Sequence, residues 1–233
     1  MCPIQDHALK GGGEKKMIPR KAAVVVFIGV FLAGCVAGPP VREGLQENLK
    51  VPAGTIEGNQ FTGIRYPFRV SAPQGWKMST EFPDFLKSFG YDKPTAFDKE
   101  VTELYLFNPA TQSSVQIDFT PADRYTVFSQ PQIERLTDLG ASSFKEELEE
   151  EYGKDIEAQV SPSEPVKLKG VQYAAKRSAT YTVKGEEREQ GWIYAFTEPY
   201  QIFILYQIIN KQGSNDRQDL EAIFDSFEFM SKK

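Results

Sequence analysis

The run Ile202-Phe203-Ile204-Leu205-Tyr206-Gln207-Ile208-Ile209 decides how the rest of the chain is arranged. In an extended conformation successive side chains point to opposite faces, and here, Gln207 apart, both faces are apolar. A strand of this kind belongs in the middle of a sheet with cover on each side. Just upstream, Val171–Val183 and Glu187–Phe196 alternate apolar and polar residues, with a turn at Lys184-Gly185-Glu186 and a break at Glu198-Pro199. The spacing predicts three consecutive antiparallel strands.

Working outward, Ile133, Leu136, Gly140, Phe144, Leu148 and Tyr152 recur at steps of three and four after Ser129, which predicts a long helix with one buried face, ended by Gly153. Its other face carries Glu146, Glu147, Glu149, Glu150 and Glu151, readable as a solvated face or as an interaction patch. On the C-terminal side, Asn215 is placed to cap a helix burying Leu220, Ile223 and Phe224, which gives way to Ser226-Phe227-Glu228-Phe229. Nearer the N-terminus, Tyr66–Pro73 alternates before a turn at Pro73-Gln74-Gly75, and a short strand follows near Trp76–Met78. Glu81–Gly90 has helical spacing in Phe82, Phe85, Leu86 and Phe89, while Val101–Phe107 and Ser113–Phe119 flank Asn108-Pro109-Ala110-Thr111-Gln112 as a hairpin. Strands, a long helix, more strands and a final helix describe an α+β fold: an antiparallel β-sheet with helices on both faces.

Three stretches of this pattern, Tyr66-Pro67-Phe68-Arg69-Val70-Ser71-Ala72-Pro73-Gln74-Gly75-Trp76, Gly170-Val171-Gln172-Tyr173 and Asp225-Ser226-Phe227-Glu228-Phe229, resemble the PsbP-like fold of photosystem extrinsic subunits and several bacterial lipoproteins. The likeness covers about 61–230. It implies an α/β/α sandwich with a non-catalytic assembly or binding role. The metal-binding histidines of some photosynthetic members have no counterpart here.

The N-terminal third reads differently. Arg20-Lys21, the apolar run Ala22–Phe31 and the small residues before Cys35 have the three-part form of a secretory signal. Leu32-Ala33-Gly34-Cys35 resembles the lipobox of bacterial lipoproteins, which implies cleavage before Cys35 and lipid on its sulfur. The resemblance implies a partner, the lipid membrane reached through acylated Cys35. It also implies an envelope address, in the outer membrane facing the periplasm for a Gram-negative organism, because Val36 is not aspartate. The same apolar segment admits a second reading as an uncleaved anchor over Ala22–Gly38, some 17 residues long, where a spanning helix takes about 20. Asp6, Glu14 and Gly11-Gly12-Gly13 fit no signal peptide, so Met17 is the expected start. The expected organisation is a signal over 1–34, a flexible Pro/Gly-bearing tether over 35–60 and a single α+β domain over 61–233.

Composition narrows the chemistry. The chain carries a formal charge of −5; residues 1–34 hold five basic and two acidic side chains, so the processed chain is near −8, which argues against a nucleic-acid partner. Its cysteines are Cys2 and Cys35 and its only histidine is His7. A chain cut before Cys35 therefore has no intramolecular disulfide, no Cys/His zinc site and no Ser-His-Asp or Cys-His nucleophile. No metal site, cofactor or catalytic residue is expected, and the expected partner is an envelope protein or cell-wall component. The rival reading is a cell-envelope hydrolase using paired carboxylates or the Ser142-Ser143-Phe144-Lys145 match to S-x-x-K, which no S-D-N or K-T-G accompanies. Trp76, Trp192 and Tyr194 are the candidate ligand-binding aromatics, with burial in the core as the alternative.

Overall fold

A computed structural model describes residues 50–84, 86, 101–122 and 127–230. The signal segment, Cys35, the tether up to residue 49 and half of the helix expected over Glu81–Gly90, residues 85 and 87–90, lie outside them.

The three strands read from the C-terminal half are β9 (Tyr173–Val183), β10 (Glu186–Thr197) and β11 (Tyr200–Ile209). They pair antiparallel in one continuous register, for example Arg177 to Trp192 to Leu205. The tight turn between β9 and β10 has Lys184 and Gly185 both at positive φ, 52° and 81°, as a two-residue hairpin demands. The expected N-terminal hairpin is β5 (Thr102–Phe107) and β6 (Ser114–Pro121), and β6 pairs with β11. With β4 (Lys77–Ser79) and β7 (Ala158–Val160) the order is β4-β5-β6-β11-β10-β9-β7, and β8 (Glu164–Pro165) also pairs with β9. The Ile202–Ile209 run is central, as its sequence requires.

A second sheet packs beside the first. It has four strands in the order β1 (Gly54–Glu57), β2 (Gln60–Gly63), β3 (Phe68–Ser71) and β12 (Glu228–Phe229). Here the sequence reading is corrected. Gly54–Glu57 lies inside the segment assigned to the tether, yet it forms an edge strand hydrogen-bonded to β2, with Ala53 already buried. A short edge strand with one partner shows no apolar alternation, and the Pro/Gly content around it reads as linker.

Two helices complete the layers. Helix α1 (Gln130–Tyr152) starts at Ser129, whose backbone N–H donates to Gln132 Oε1 at 2.8 Å. It buries Ile133, Thr137, Gly140, Phe144 and Leu148 and packs across β9 and β10. At Gly140 a Cβ would sit 2.8 Å from Trp192 Nε1, so glycine sets how closely helix and sheet approach. Helix α2 (Asp216–Ser226) follows Asn215 and buries Leu220 and Ile223 on the opposite face. Asp216 at its first turn accepts from Asn108 Nδ2 at 2.8 Å and Ser113 Oγ at 2.6 Å, which joins the helix to the β5–β6 turn.

The main core lies between the large sheet, α2 and the small sheet. Phe68 stacks on Phe119 with ring centroids 4.7 Å apart and on Phe227 at 5.7 Å, and Tyr66 stacks on Phe119 at 4.9 Å. Ile202, Ile204 and Ile208 of β11 point into this cluster. Helices on both faces of an antiparallel sheet make the molecule an α+β sandwich.

Candidate functional site

The two faces of β11 are finished differently, and the site is built on that difference. Cover on both faces is the sequence expectation. On the α2 side Ile202, Ile204 and Ile208 are buried; on the α1 side Gln207 and Ile209 are buried but Phe203 and Leu205 are only half-buried, because α1 packs chiefly on β9 and β10. Beside α1 this leaves an apolar strip made by Tyr194 of β10 with Phe203 and Leu205 of β11. Tyr194 and Phe203 are direct cross-strand partners with ring centroids 4.8 Å apart. Burial pushes the Tyr194 hydroxyl up to about 12, so it is a neutral donor across the physiological range.

One step across the sheet the strip turns polar. Phe203 is paired with Asp118 of β6, and Leu205 with Gln116. Gln116 Nε2 donates to both carboxylate oxygens of Asp118, at 3.0 and 3.1 Å, and lies 3.2 Å from Thr102 Oγ1. A bulge between Thr102 and Leu104 in β5 holds Glu103, which is fully buried. Arg65 Nε donates to Glu103 Oε2 at 3.1 Å while Nη2 sits 3.1 Å from Oε1, a fork-shaped ion pair joining the β2–β3 loop to the large sheet. Burial pushes Glu103 up to about 7, against the opposing pull of Arg65 and with a smaller upward push from Asp118.

The residues singled out by sequence are dispersed. Trp76 is buried in the main core with its Nε1 donating to Asp219 Oδ2 at 2.9 Å. Trp192 lies on the opposite side of the sheet under α1, where its Nε1 donates to the Thr137 carbonyl at 2.9 Å. A platform combining the two is therefore ruled out by the sheet between them, and only Tyr194 of the three aromatics reaches a partly open surface. Ser142 is exposed on the outer face of α1, and Lys145 pairs with Glu149 at 3.8 Å. The buried Glu103 and the Gln116–Asp118 pair are absent from the sequence reading. Thirty-two acidic residues give no signal for which one a bulge turns inward, and Arg65 is 38 residues away in sequence.

On α1, Glu147 is half-buried, and its carboxyl rises to about 7 through burial first and then the neighbouring Glu150 and Glu151. Among the described residues no cluster of three or more His, Cys, Asp or Glu side chains is arranged to hold a metal ion, and no helix is long and apolar enough to cross a membrane.

Fold and strip together define an antiparallel α+β sandwich with one closed face and one partly open face. No family model and no curated protein matches the chain. Several solved structures resemble it. One is LpqN of Mycobacterium tuberculosis, a protein involved in cell envelope biogenesis: 8% identity over 70% of this chain and 82% of that one, TM-score 0.45. Another is cyanobacterial PsbP from Synechocystis sp., at 12% identity over 77% and 99% with a TM-score of 0.48. A third is the Ran-binding protein Mog1p of Saccharomyces cerevisiae, at 8% identity over 75% and 96%, TM-score 0.41. These are distant similarities, and no residue role is transferred from them.

Proposed function

We propose that this chain is a lipid-anchored lipoprotein of the bacterial envelope whose folded domain is a non-enzymatic binding or assembly module. The observation that carries the address is Leu32-Ala33-Gly34-Cys35 following Arg20-Lys21 and the apolar run Ala22–Phe31. Box, run and basic flank agree in position, and several acyl chains at about 0.8 kcal/mol per buried methylene make such attachment lasting. Val36 favours the outer membrane facing the periplasm in a Gram-negative cell.

The non-catalytic part of the reading is supported by where reactive groups lie. Ser142 and Lys145 stand on the solvent face of a helix, and Glu103 is sealed behind Arg65, where a substrate has no approach. Tyr194, Phe203 and Leu205 instead offer ring and aliphatic surface beside the partly exposed Gln116, which suits contact with an envelope protein or cell-wall component.

Detergent phase partitioning of the protein made in a bacterial host tests the proposal. The wild type is expected in the detergent phase and Cys35→Ala in the aqueous phase; partitioning that ignores the substitution would overturn it.

A further inference from the structure

Resting on the lipid-anchor reading, we propose that the small sheet is the pole of the domain that faces the membrane, docking on anionic phospholipid headgroups with α1 turned away. Three observations point to it.

The first is the place where the chain joins the fold. Cys35 and Lys50 are separated by 15 residues, at most roughly 55 Å of extended chain, and Lys50 leads directly into β1 at the edge of the small sheet. The second is charge. The small-sheet segments (50–71, 165–172 and 227–230) carry five basic residues and two acidic ones, whereas α1 and the stretch after it (130–157) carry three basic and nine acidic. In a processed chain near −8, the basic groups Lys50, Arg69, Lys167 and Lys169 belong to the sheet at which the chain enters the fold. An anionic surface attracts that pole and repels the other within a Debye length of about 8 Å.

The third is shape. The outward row of the small sheet runs Thr55, Thr62, Arg69 and Glu228 in register, and Lys169 pairs with Glu228 at 3.1 Å. Glu228 is shared by Arg69 and Lys169, so the trio keeps a net positive charge. At the tether edge Ile64 is 52% exposed, and its N–H donates to the Ala53 carbonyl at 2.8 Å, which sets it alongside the incoming chain. At the other edge Lys167 and Lys169 border a cleft of about 620 Å³ lined by Leu168, Ala174 and Phe224, with Asp225 as its one carboxylate and Gln130 at the start of α1 closing its far side. Apolar tips at one end and amines at the other match the boundary between acyl chains and phosphates.

The test is amide hydrogen exchange of the full processed chain attached to vesicles, phosphatidylglycerol-containing against pure phosphatidylcholine, with its intact mass read on the same sample. Exchange in 51–71 and 165–172 is expected to slow roughly fivefold or more on the anionic vesicles, the factor one basic side chain contributes at such a surface. It should return to the phosphatidylcholine value at high salt or in the Lys167→Glu/Lys169→Glu variant, while α1 beyond its first turn is unchanged throughout. Equal exchange on both vesicles, or slowing in α1 in place of the small sheet, would overturn the docking proposal. An intact mass lacking acyl chains would instead overturn the anchor reading, and the same exchange comparison on chain coupled through Cys35 to a maleimide lipid would still decide the docking.

Discussion

Ile204 and Leu205 are neighbours on one strand, and they live in different surroundings. Ile204 points into a dry cluster of isoleucines and stacked rings closed by α2 and the small sheet; Leu205 points to the side that α1 covers only in part. The first face is sealed by apolar packing, and the second combines an apolar strip with a polar row and, at its β5 margin, a buried ion pair. The larger buried cluster lies on one side of the sheet, while on the other α1 closes two smaller clusters over β9 and β10 and leaves Phe203 and Leu205 of β11 partly open.

The largest effect is expected where the closed face is densest. Phe68→Ala removes a ring packed on Phe61, Phe119 and Phe227 and should cost about 3–5 kcal/mol in urea unfolding. Arg65→Ala comes next: it removes the partner that pulls the Glu103 carboxyl down, so near neutral pH the buried acid takes up a proton. The loss then stays below that of an uncompensated buried charge, about 3–5 kcal/mol, and grows as pH rises above 7; Glu103→Gln in the same chain should remove that pH dependence. The adjacent pair then gives the sharpest contrast. Ile204→Ala should cost about 2–5 kcal/mol, the range for buried aliphatics, and Leu205→Ala should fall below it because the leucine is only half-buried. Equal costs would break the comparison.

A smaller effect concerns pH. Glu103 and Glu147 both rise from an ordinary 4.5 to about 7 in the folded protein. A raised carboxyl binds its proton more tightly folded than unfolded, so stability is highest below about pH 4.5 for these groups and is lost as pH climbs towards 7. Thermal unfolding across that window should show the decline, and Glu103→Gln should make it shallower, leaving the share of Glu147. The smallest effect is Ser142→Ala, exposed on α1, which should leave stability within about 0.5 kcal/mol.

The contrast between faces also explains what could be read in advance. The strands β9 to β11 and both helices declare themselves because their burial is periodic: Ile133, Gly140, Phe144 and Leu148 mark one face of α1, and Ile202, Ile204 and Ile208 one face of β11. The strand β1 does not, because an edge strand exposed along most of its length leaves no pattern. The half-open side of β11 was equally hidden, since Phe203 and Leu205 are apolar whether or not a helix covers them. Trp76 and Trp192 look alike in sequence, and only the register of β10 puts Trp192 and Tyr194 on one face and Ile193 and Ala195 on the other. The Arg65–Glu103 pair depends on a bulge, a one-residue irregularity that residue types do not encode.

Whether lipid on Cys35 holds this sandwich at a membrane is decided by intact mass spectrometry of protein purified from bacterial membranes. The expected species is a chain beginning at Cys35 and carrying the added mass of a diacylglycerol, with or without a further acyl group on its amine. A chain that retains the residues before Cys35 and carries no acyl mass would contradict the lipid anchor.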